Sequence, residues 1–320
     1  MLFFGSFMNR KATAFAPATV ANLNCGFDVL GMAIDRPGDE VTVSFNDTGG
    51  LRVIQITGDG GKLPYDTDKN TAAVAIRALC DHLGERRGID VSVAKQMPLG
   101  SGMGSSAASA VAGVVAANAL LGEPLTKHDL LPFVLKGEEA ATGTAHGDNV
   151  FPSLLGGIVL IRSYEPLDVI SLPVPTHLYC ALLHPDIEIL TKQARSILPT
   201  HIPLKTAIAQ TGNIAAFVAG LYAQDLALVG RSMTDLFAEP YRAPLIAEFG
   251  RVRAAAQYGG ALAFGISGSG PAMFALCESA VRAQQVGDLM LRTLQNRQIS
   301  AELYVSRINK QGAKVIDVVS

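Results

Sequence analysis

The glycine-rich segment at residues 98–108, Pro-Leu-Gly-Ser-Gly-Met-Gly-Ser-Ser-Ala-Ala, constrains the fold of this chain more than any other part of the sequence. Gly100, Gly102 and Gly104 occupy alternate positions, and their missing Cβ atoms let the backbone approach an anion closely. Ser105 and Ser106 then open an alanine-rich stretch, and the amides and dipole at a helix N-terminus attract phosphate. The pattern predicts a phosphate-binding loop before a helix, with a serine-capped glycine turn as the alternative.

Three familiar glycine motifs do not fit this segment. No lysine follows Gly104, so the segment is not a Walker A loop. The Gly-x-Gly-x-x-Gly spacing of dinucleotide-binding folds is absent here, as is the Gly-x-Ser-x-Gly elbow of hydrolases. A phosphate-binding loop of a different kind is therefore expected.

The composition allows a large core and argues against a nucleic-acid partner. The 320 residues suffice for two domains, and 49% of them are hydrophobic while 17% are charged. The net charge of −2 comes without a long basic run, and a nucleic-acid interface needs clustered Lys and Arg. Few surface charges also leave room for an apolar interface between subunits, although an alanine-rich core explains the composition equally well.

The cysteines and the N-terminus predict a cytosolic protein without a membrane segment. The four cysteines lie far apart with no Cys-x-x-Cys pair, which favours free thiols in a reducing compartment over disulfides or a zinc site. The apolar N-terminal residues precede Arg10 and Lys11, the reverse of a signal peptide, and either Met1 or Met8 could be the natural start. The small-apolar stretch at 107–121 is too short to span a bilayer.

Hydrophobic periodicity predicts strands and helices in both halves of the chain. A helix should run from a cap at Asn70 to a stop at Gly84. The other elements predicted in the first half are strands near 41–45, 51–53, 89–93 and 157–161, helices near 105–121 and 127–141, and a loop at 146–152. In the second half, a pattern close to a split β-α-β sandwich has strands near 178–183, 260–266, 272–276 and 302–305 and helices near 190–198, 205–222, 244–258 and 279–294.

The glycine-rich segment resembles the Pro-x-Gly-x-Gly-x-Gly-Ser-Ser-Ala signature of the GHMP kinases, the family of galactokinase, homoserine kinase, mevalonate kinase and phosphomevalonate kinase. Residues 16–28 (APATVANLNCGFD) resemble the first motif of the homoserine kinase branch. Asn24 stands where that motif usually has glycine, so the turn is expected to differ slightly there. Residues 265–272 (GISGSGPA) resemble the third GHMP motif, and shorter segments similar to the homoserine kinase branch lie at 146–150, 190–195 and 239–242.

This resemblance covers nearly the whole chain and implies a fold, an activity and partners. The implied fold is an α+β, two-domain GHMP-kinase-like fold, with an N-terminal ribosomal-protein-S5-domain-2-like domain at residues 1–165 and a C-terminal ferredoxin-like sandwich at residues 166–320. The implied activity is the ATP-dependent phosphorylation of the side-chain hydroxyl of L-homoserine, which gives O-phospho-L-homoserine for threonine biosynthesis. The cofactors would be ATP and Mg²⁺, and we expect a cytoplasmic homodimer that binds neither nucleic acid nor membrane.

The resemblance also assigns the nucleotide and metal site. Mg²⁺ takes few oxygen ligands from a protein, and Ser106 and Glu138 resemble the family's metal-binding serine and glutamate. The alternatives are a helix cap for Ser106 and a solvated helix face for Glu138. Asn70 is similar to an adenine-side residue of the family, although a helix cap explains it equally well. The implied ATP-binding residues are Pro98, Leu99, Gly100, Ser101, Gly102, Met103, Gly104, Ser105, Ser106, Ala107 and Ala108, together with Asn70.

A zwitterionic acceptor needs a carboxylate for its ammonium group and guanidinium groups for its own carboxylate. Asp28 resembles the ammonium-binding residue of the family, and Arg195 and Arg242 resemble the carboxylate clamp. The residues implied to position the hydroxyl and its neighbours are Asn22, Asn149 and Thr191. The two asparagines could instead be turn residues, and the two arginines could be surface charges.

The implied catalytic residues are Asp148 and Arg195. In the mevalonate and galactose branches, an aspartate in a position resembling Asp148 is thought to act as the base. The homoserine branch is often described as having no base, and Asp148 could equally orient its loop through side-chain hydrogen bonds. His146 is expected to form hydrogen bonds within the loop rather than to act as a base.

Two other functions stay open on the sequence. A GHMP kinase for a different small alcohol, such as mevalonate, would not need two arginines and Asp28 around its substrate. A non-catalytic sensor with the GHMP fold would be indicated by a broken phosphate loop or a missing metal-binding glutamate, and neither is seen.

Overall fold

The computed structural model describes residues 10–143 and 146–319, so the two alternative start residues lie outside the described part. The strands are β1 (Lys11–Ala21), β2 (Leu30–Asn46), β3 (Leu51–Thr57), β4 (Gly88–Ala94), β5 (Ile158–Tyr164), β6 (Leu167–Leu172), β7 (Tyr179–Pro185), β8 (Ala263–Ile266), β9 (Met273–Cys277), β10 (Ala301–Arg307) and β11 (Lys314–Val319). The helices are α1 (Thr71–Leu83), α2 (Ser105–Leu120), α3 (Leu131–Thr142), α4 (Gly147–Leu155), α5 (Thr191–Ser196), α6 (Leu204–Ala223), α7 (Leu226–Ser232), α8 (Glu239–Arg242), a 3₁₀ helix (Ala243–Leu245), α9 (Phe249–Tyr258) and α10 (Ala280–Gln295). None of the helices in these ranges has the length and apolar character needed to cross a membrane.

Within the described residues, the larger sheet has seven strands and supports most of the candidate site. Its main order is β11-β1-β2-β4-β3, and the β5–β6 hairpin joins it through β2. Helix α2 packs against β1 and β2, and every residue of this helix except Ser106 is buried. Its many alanines let the helix lie close to the sheet, which explains why a helix with no polar face is stable here.

In the part of the chain that the structure describes, the smaller sheet has four antiparallel strands in the order β10-β7-β9-β8, with α9 and α10 packed against it. A second hydrophobic core lies between this sheet and the two helices and includes Phe249, Phe264 and Met290. Along the chain, β7 is followed by helices, then by the adjacent strands β8 and β9, helix α10 and β10. The split sandwich predicted for the second half is therefore confirmed.

Local signals explain where the helices on the larger sheet begin and end. Asn70 accepts a hydrogen bond from a backbone N–H in the first turn of α1 at 3.2 Å, and Gly84 ends the helix in the left-handed conformation with φ of 68°. Both predicted ends of α1 are confirmed. Helix α3 begins at Leu131 rather than near residue 127, because Thr126 and Asp129 first close a separate hydrogen-bonded turn.

The prediction of a loop at 146–152 is wrong, because residues 147–152 belong to helix α4 and His146 is the residue just before it. Pro152 lies inside the helix and has no backbone N–H to donate to the carbonyl of Asp148. That carbonyl faces Gly31 of β2, where an added Cβ would lie 1.9 Å from its oxygen. The proline is thus tolerated at a point where the helix lies unusually close to the sheet, and α4 brings Asp148 to the edge of the cleft described below.

Two strands from the second half of the chain complete the larger sheet. β6 pairs with β5, and β11 pairs antiparallel with β1. The periodicity predicts neither strand. The predicted boundary between residues 165 and 166 falls in the turn of the β5–β6 hairpin, so the chain enters the smaller sheet after β6 and returns to the larger one at β11. The residue limits of the two domains remain a prediction.

Candidate active site

A cleft of about 360 Å³ lies where loops from both sheets meet. We name three of its walls: the phosphate loop (residues 98–104), the N-terminal motif loop (residues 22–28) and the C-terminal glycine loop (residues 267–271). The predicted site residues that line the cleft are Asn22, Asp28, Asn70, Leu99, Gly100, Ser101, Gly102, Gly104, Ser105, Ser106, Glu138, Asp148, Asn149, Thr191, Arg195 and Arg242. Four predicted ATP-binding residues do not line the cleft: Pro98, Met103, Ala107 and Ala108. The last three have fully buried side chains in the hydrophobic core.

The phosphate loop lies directly against the C-terminal glycine loop. Gly102 has a φ of 78°, and an added Cβ would lie 2.5 Å from the Ser267 carbonyl oxygen and 2.8 Å from that of Gly270. The Ser267 hydroxyl donates to the Gly102 carbonyl at 2.7 Å, and the Ala272 N–H donates to the carbonyl of Ser101 at 3.1 Å. Glycine at position 102 is therefore required by this contact between loops, a constraint that the phosphate-binding pattern does not reveal.

A buried cation, Lys95, lies beneath the first turn of α2. Its ammonium group forms an ion pair with Asp39 and donates to the Ser105 carbonyl at 2.7 Å and to the Ser109 hydroxyl at 2.9 Å. Burial lowers the pKa of Lys95, whereas the charge of Asp39 opposes this shift. Sequence reasoning missed this pair. The available signal was a lysine at the end of β4, three positions before Pro98.

The predicted metal residues lie together at the start of α2. The Ser106 hydroxyl donates to a carboxylate oxygen of Glu138 at 3.0 Å, and Glu138 is 4% exposed. Burial raises the pKa of Glu138 to about 8, and the nearby charge of Asp148 adds to the shift. The described ranges hold no cluster of three or more His, Cys, Asp or Glu that could bind a metal. A hydroxyl and one buried carboxylate fit Mg²⁺, which accepts one or two protein ligands and keeps its other oxygens from water and phosphate.

The N-terminal motif loop has an unusual backbone. Asn22, Leu23, Asn24 and Asp28 all have positive φ, between 43° and 71°. The Asn22 side chain bridges the loop, because its amide oxygen accepts from the Asp28 N–H at 2.9 Å and its NH₂ group donates to the Gly268 carbonyl at 3.1 Å. Asn22 thus lines the cleft and also holds Asp28 in place.

Asn24, the departure from the family motif, keeps the left-handed turn with a φ of 57°. Its NH₂ group donates to the carbonyls of Met233 and Phe264 at 2.9 and 2.8 Å. Gly265 makes room for it, because an added Cβ there would lie 1.6 Å from the Asn24 amide oxygen. The asparagine therefore adopts the left-handed conformation that glycine adopts readily, and it ties the loop to the second half of the chain.

The three charged residues predicted for the acceptor lie next to each other. The Arg195 Nη2 group donates to both carboxylate oxygens of Asp28 at 2.7 Å. Arg242 is 4% exposed and donates to the carbonyls of Ala194 and Gly268 at 3.1 and 2.9 Å. Burial and the charge of Arg195 lower the pKa of Arg242. Both guanidinium groups also approach the Phe27 ring, at 5.4 and 5.3 Å from its centroid.

Besides Asn22, the uncharged residues predicted near the hydroxyl are Asn149 and Thr191, and both line the same cleft. Asn149 follows Asp148 in α4, and its amide oxygen accepts from the Thr19 hydroxyl at 2.7 Å. Thr191 begins α5, and its hydroxyl lies 3.4 Å from that of Ser269. Asn149 is thus held by a protein partner, whereas Thr191 is exposed at the mouth of the cleft.

Asp148 and His146 provide titratable groups beside these charges. Asp148 is 4% exposed, and burial, together with the charge of Asp28, raises its pKa to about 7, while Arg195 opposes the shift. The His146 Nδ1 atom lies 3.4 Å from the Arg195 Nη2 atom, and burial and that positive charge lower the pKa of His146. At neutral pH the site therefore presents a partly ionised aspartate and a largely neutral imidazole.

Family models and a full-length relative agree with this geometry. The model for the GHMP kinases N terminal domain matches residues 70–157, and the model for the GHMP kinases C terminal domain matches residues 217–294. The chain is 47% identical to a homoserine kinase of Chlorobium phaeovibrioides over 319 residues, which covers 96% of this chain and all of the relative. The chain belongs to the GHMP kinase family.

Solved structures of this family share the fold. The homoserine kinase of Cytophaga hutchinsonii superimposes with a TM-score of 0.95 at 52% identity, covering 99% of this chain and 100% of the other. A mevalonate kinase of L. major in complex with R-mevalonate superimposes with a TM-score of 0.68 at 18% identity, covering 92% of this chain and 95% of the other. The second similarity extends to the fold alone. The two-domain GHMP kinase fold is therefore confirmed.

We predict that Lys95→Met lowers the free energy of unfolding by roughly 3–5 kcal/mol, because the Asp39 carboxylate stays buried without its charge partner. The double variant Lys95→Met/Asp39→Leu should regain much of this loss, since no uncompensated charge remains. Urea denaturation of the three proteins measures the difference. A double variant no more stable than Lys95→Met would show that the ion pair is not the cause.

We predict that Asp148→Asn makes stability less dependent on pH. Because folding raises the pKa of Asp148 from 3.8 to about 7, the folded state binds more protons between these values and stability falls as the pH rises. Between about pH 5 and pH 8 the wild-type protein should lose roughly 2–3 kcal/mol more than the variant, at about 1.4 kcal/mol per pKa unit. Urea denaturation at both pH values measures this, and equal slopes for the two proteins would rule out the raised pKa.

Proposed function

We propose that this chain transfers the γ-phosphoryl group of ATP to the side-chain hydroxyl of L-homoserine and so forms O-phospho-L-homoserine for threonine biosynthesis. The observation that carries this proposal is the meeting of Asp28, Arg195 and Arg242 in one cleft with the phosphate loop. The full-length relatives named homoserine kinase support it, at 47% identity in Chlorobium phaeovibrioides and 39% in Xylella fastidiosa.

The charges of the cleft match those of an α-amino acid. The substrate ammonium group would pair with Asp28, and the substrate carboxylate would accept hydrogen bonds from Arg195 and Arg242. Because Arg242 is almost fully buried, its contact with a carboxylate is poorly screened by water. The cleft therefore favours a zwitterion over a neutral alcohol, and Thr191 at the mouth and Asn149 beside Asp148 are our candidates for contacts near the hydroxyl.

The other end of the cleft suits a nucleotide. Backbone N–H groups at the start of α2 and in the phosphate loop would bind the ATP phosphates, helped by the helix dipole. Asn70 lines the cleft, and its side chain accepts from the first turn of α1, so our candidate for a contact near the adenine also caps that helix. Both of the alternatives that the sequence left open for Asn70 thus hold together in this proposal.

Ser106 and Glu138 are the residues that would hold Mg²⁺. The ion, when bound, supplies positive charge that neutralises phosphate oxygens during transfer. The residues of the chain contribute a hydroxyl at a helix N-terminus and a buried carboxylate whose ionised form a cation would stabilise.

Asp148 is our candidate for the group that accepts the hydroxyl proton as the oxygen attacks phosphorus. With its pKa near 7 it is partly ionised at neutral pH, as a general base should be. Arg195, between Asp28 and His146, would stabilise the negative charge of the transferring group. The Asp148→Asn variant described above separates this mechanism from one without a base. If Asp148 is the base, the substitution lowers kcat by roughly 10²–10⁴-fold. If Asp148 only orients its loop, kcat stays nearly unchanged.

We also propose that the enzyme is a cytoplasmic homodimer with no nucleic-acid partner. Helix α6 has one charged residue, Lys205. Three of its apolar side chains are largely exposed: Leu204 is 75% exposed, Ile208 63% and Tyr222 62%. Apolar patches of this kind mark protein interfaces. Sedimentation equilibrium should give the mass of two chains; the mass of one chain would contradict the dimer.

The cysteines and the net charge support the other two parts of this proposal. The four free cysteines support a reducing compartment, and the net charge of −2 supports the absence of a nucleic-acid partner.

A substrate panel tests the proposed reaction directly. Purified protein with Mg-ATP is given L-homoserine, mevalonate or no acceptor, and ADP release is measured by a coupled assay. We expect ADP release with L-homoserine and only background with mevalonate. Turnover of mevalonate would favour the other kinase function, and ATP binding without turnover of either acceptor would favour the sensor.

We predict that Arg242→Leu weakens the binding of homoserine by a free energy on the order of 2–5 kcal/mol, because the desolvated substrate carboxylate loses a partner. The KM for homoserine should rise accordingly. The KM for ATP should stay within about twofold, since the phosphates bind elsewhere in the cleft. The variant should also discriminate poorly between homoserine and 3-aminopropan-1-ol, which lacks the carboxylate.

Steady-state kinetics with both substrates measures these values. Arg292→Leu, which replaces an exposed arginine of α10, is the matched control and should match wild type. Arg195→Leu should raise the KM for homoserine in the same way and should also lower kcat, because Arg195 is our candidate for stabilising the transferring group. If both cleft variants keep the homoserine KM within about twofold of wild type, the homoserine assignment of this pocket is wrong.

We predict that Glu138→Gln lowers kcat by roughly two orders of magnitude, because a neutral amide is a poor ligand for a divalent cation and leaves transition-state charge uncompensated. Glu139→Gln, which changes the exposed next residue of α3, should have no effect. Magnesium dependence of kcat is measured for both variants. Near-normal turnover of Glu138→Gln at ordinary magnesium concentration would remove Glu138 from the metal site.

A further inference from the structure

Gln210 lies in helix α6, is 2% exposed and does not line the cleft. Both the NH₂ group and the oxygen of its side-chain amide form hydrogen bonds to the backbone. Nε2 donates to the Cys25 carbonyl at 2.7 Å, and Oε1 accepts from the Leu236 N–H at 3.0 Å. Cys25 belongs to the loop that carries Asp28, and Leu236 precedes the short helix α8 that carries Arg242. One buried amide therefore joins the backbone segments of these two charged residues.

Further side-chain hydrogen bonds hold each of the joined segments. Asn24 adjoins Cys25 and donates to two backbone carbonyls of the second half of the chain, at 2.9 and 2.8 Å. Asp235 adjoins Leu236 and accepts from three backbone N–H groups at the start of α8, at 2.7, 2.9 and 2.9 Å. Gln210 and the Asn24–Met233 hydrogen bond are therefore side-chain contacts that join the two segments and fix how far apart they lie.

We propose that Gln210 is a positioning residue that helps to set the spacing between Asp28 and Arg242 and so favours α-amino acids among hydroxyl-bearing acceptors. The proposal rests on the function proposed above. In an α-amino acid the ammonium and carboxylate groups are attached to one carbon, so their separation is fixed and their partners must be held at a matching distance. Gln210 acts on the substrate through the backbone of Cys25 and Leu236 and does not touch it.

Gln210→Met tests this role, because methionine keeps the length and helix propensity of glutamine but can neither donate to Cys25 nor accept well from Leu236. The control is Phe217→Leu, a fully buried residue two turns further along the same helix that touches neither hydrogen bond. In Gln210→Met the homoserine KM should rise roughly tenfold or more while the ATP KM stays within about twofold. In Phe217→Leu both KM values should stay within about twofold, although its melting temperature falls.

Hydrogen–deuterium exchange gives a readout that does not depend on activity. In Gln210→Met, peptides covering residues 22–28 and 235–242 should exchange faster than in wild type, and in Phe217→Leu they should not. Should Gln210→Met fail to fold, Gln210→Glu at about pH 8 replaces it; this variant keeps the acceptor for Leu236 and should increase exchange mainly at residues 22–28.

The outcomes separate this inference from the proposed function. Unchanged exchange in both segments, or an unchanged homoserine KM despite faster exchange, overturns the positioning role of Gln210. Lack of homoserine turnover by the wild-type protein contradicts the proposed function instead, and the exchange experiment still decides whether Gln210 holds the two segments together. Faster exchange with a selective rise in the homoserine KM supports both.

Discussion

The ion pair between Arg195 and Asp28 is the contact on which the candidate site depends, because it joins residues 167 positions apart across the cleft. Asp28 lies in a loop whose left-handed backbone is unfavourable for side-chain-bearing residues and persists only when its surroundings hold it. Asn22 holds the loop from within, and Asn24 of the loop donates to the Met233 carbonyl in the second half of the chain. Gln210, which lies in the second half, donates to the Cys25 carbonyl of the loop. The loop that carries the acidic residue is thus shaped by both halves of the fold.

The nucleotide and acceptor ends of the cleft are mechanically connected through the C-terminal glycine loop. On one side, Ser267 donates to the Gly102 carbonyl in the phosphate loop. On the other side, the Gly268 carbonyl accepts from both Asn22 and Arg242, at 3.1 and 2.9 Å. A side chain at position 102 would therefore displace a loop that supports acceptor-binding residues, so its effects should not be confined to the nucleotide. Close packing of the two ends keeps the donor and acceptor groups in a fixed orientation, which is the main demand of phosphoryl transfer.

Sequence reasoning predicts the parts of this molecule that depend on neighbouring residues. The ends of α1 follow from one cap and one left-handed glycine, and the family motifs bring together Asp28, Arg195 and Arg242 as expected. Other features depend on residues far apart in the chain and leave no periodic signal. Strand β11 pairs with β1, and the Lys95–Asp39 pair spans 56 positions. In α4 a proline argues locally for a loop, whereas packing against β2 stabilises a helix; the tertiary contact outweighs the local preference.

The central claim is that the cleft recognises both charges of an amino acid that bears a hydroxyl group. Isothermal titration of the wild-type protein with a non-hydrolysable ATP analogue and Mg²⁺ tests it most directly, using L-homoserine, 3-aminopropan-1-ol, which lacks the carboxylate, and 4-hydroxybutanoate, which lacks the ammonium group. We expect L-homoserine to bind on the order of 100-fold more tightly than either analogue, because 3-aminopropan-1-ol offers no carboxylate to the buried Arg242 and 4-hydroxybutanoate offers no ammonium group to Asp28. Binding of either analogue within about threefold of L-homoserine would contradict recognition of the zwitterion by Asp28, Arg195 and Arg242.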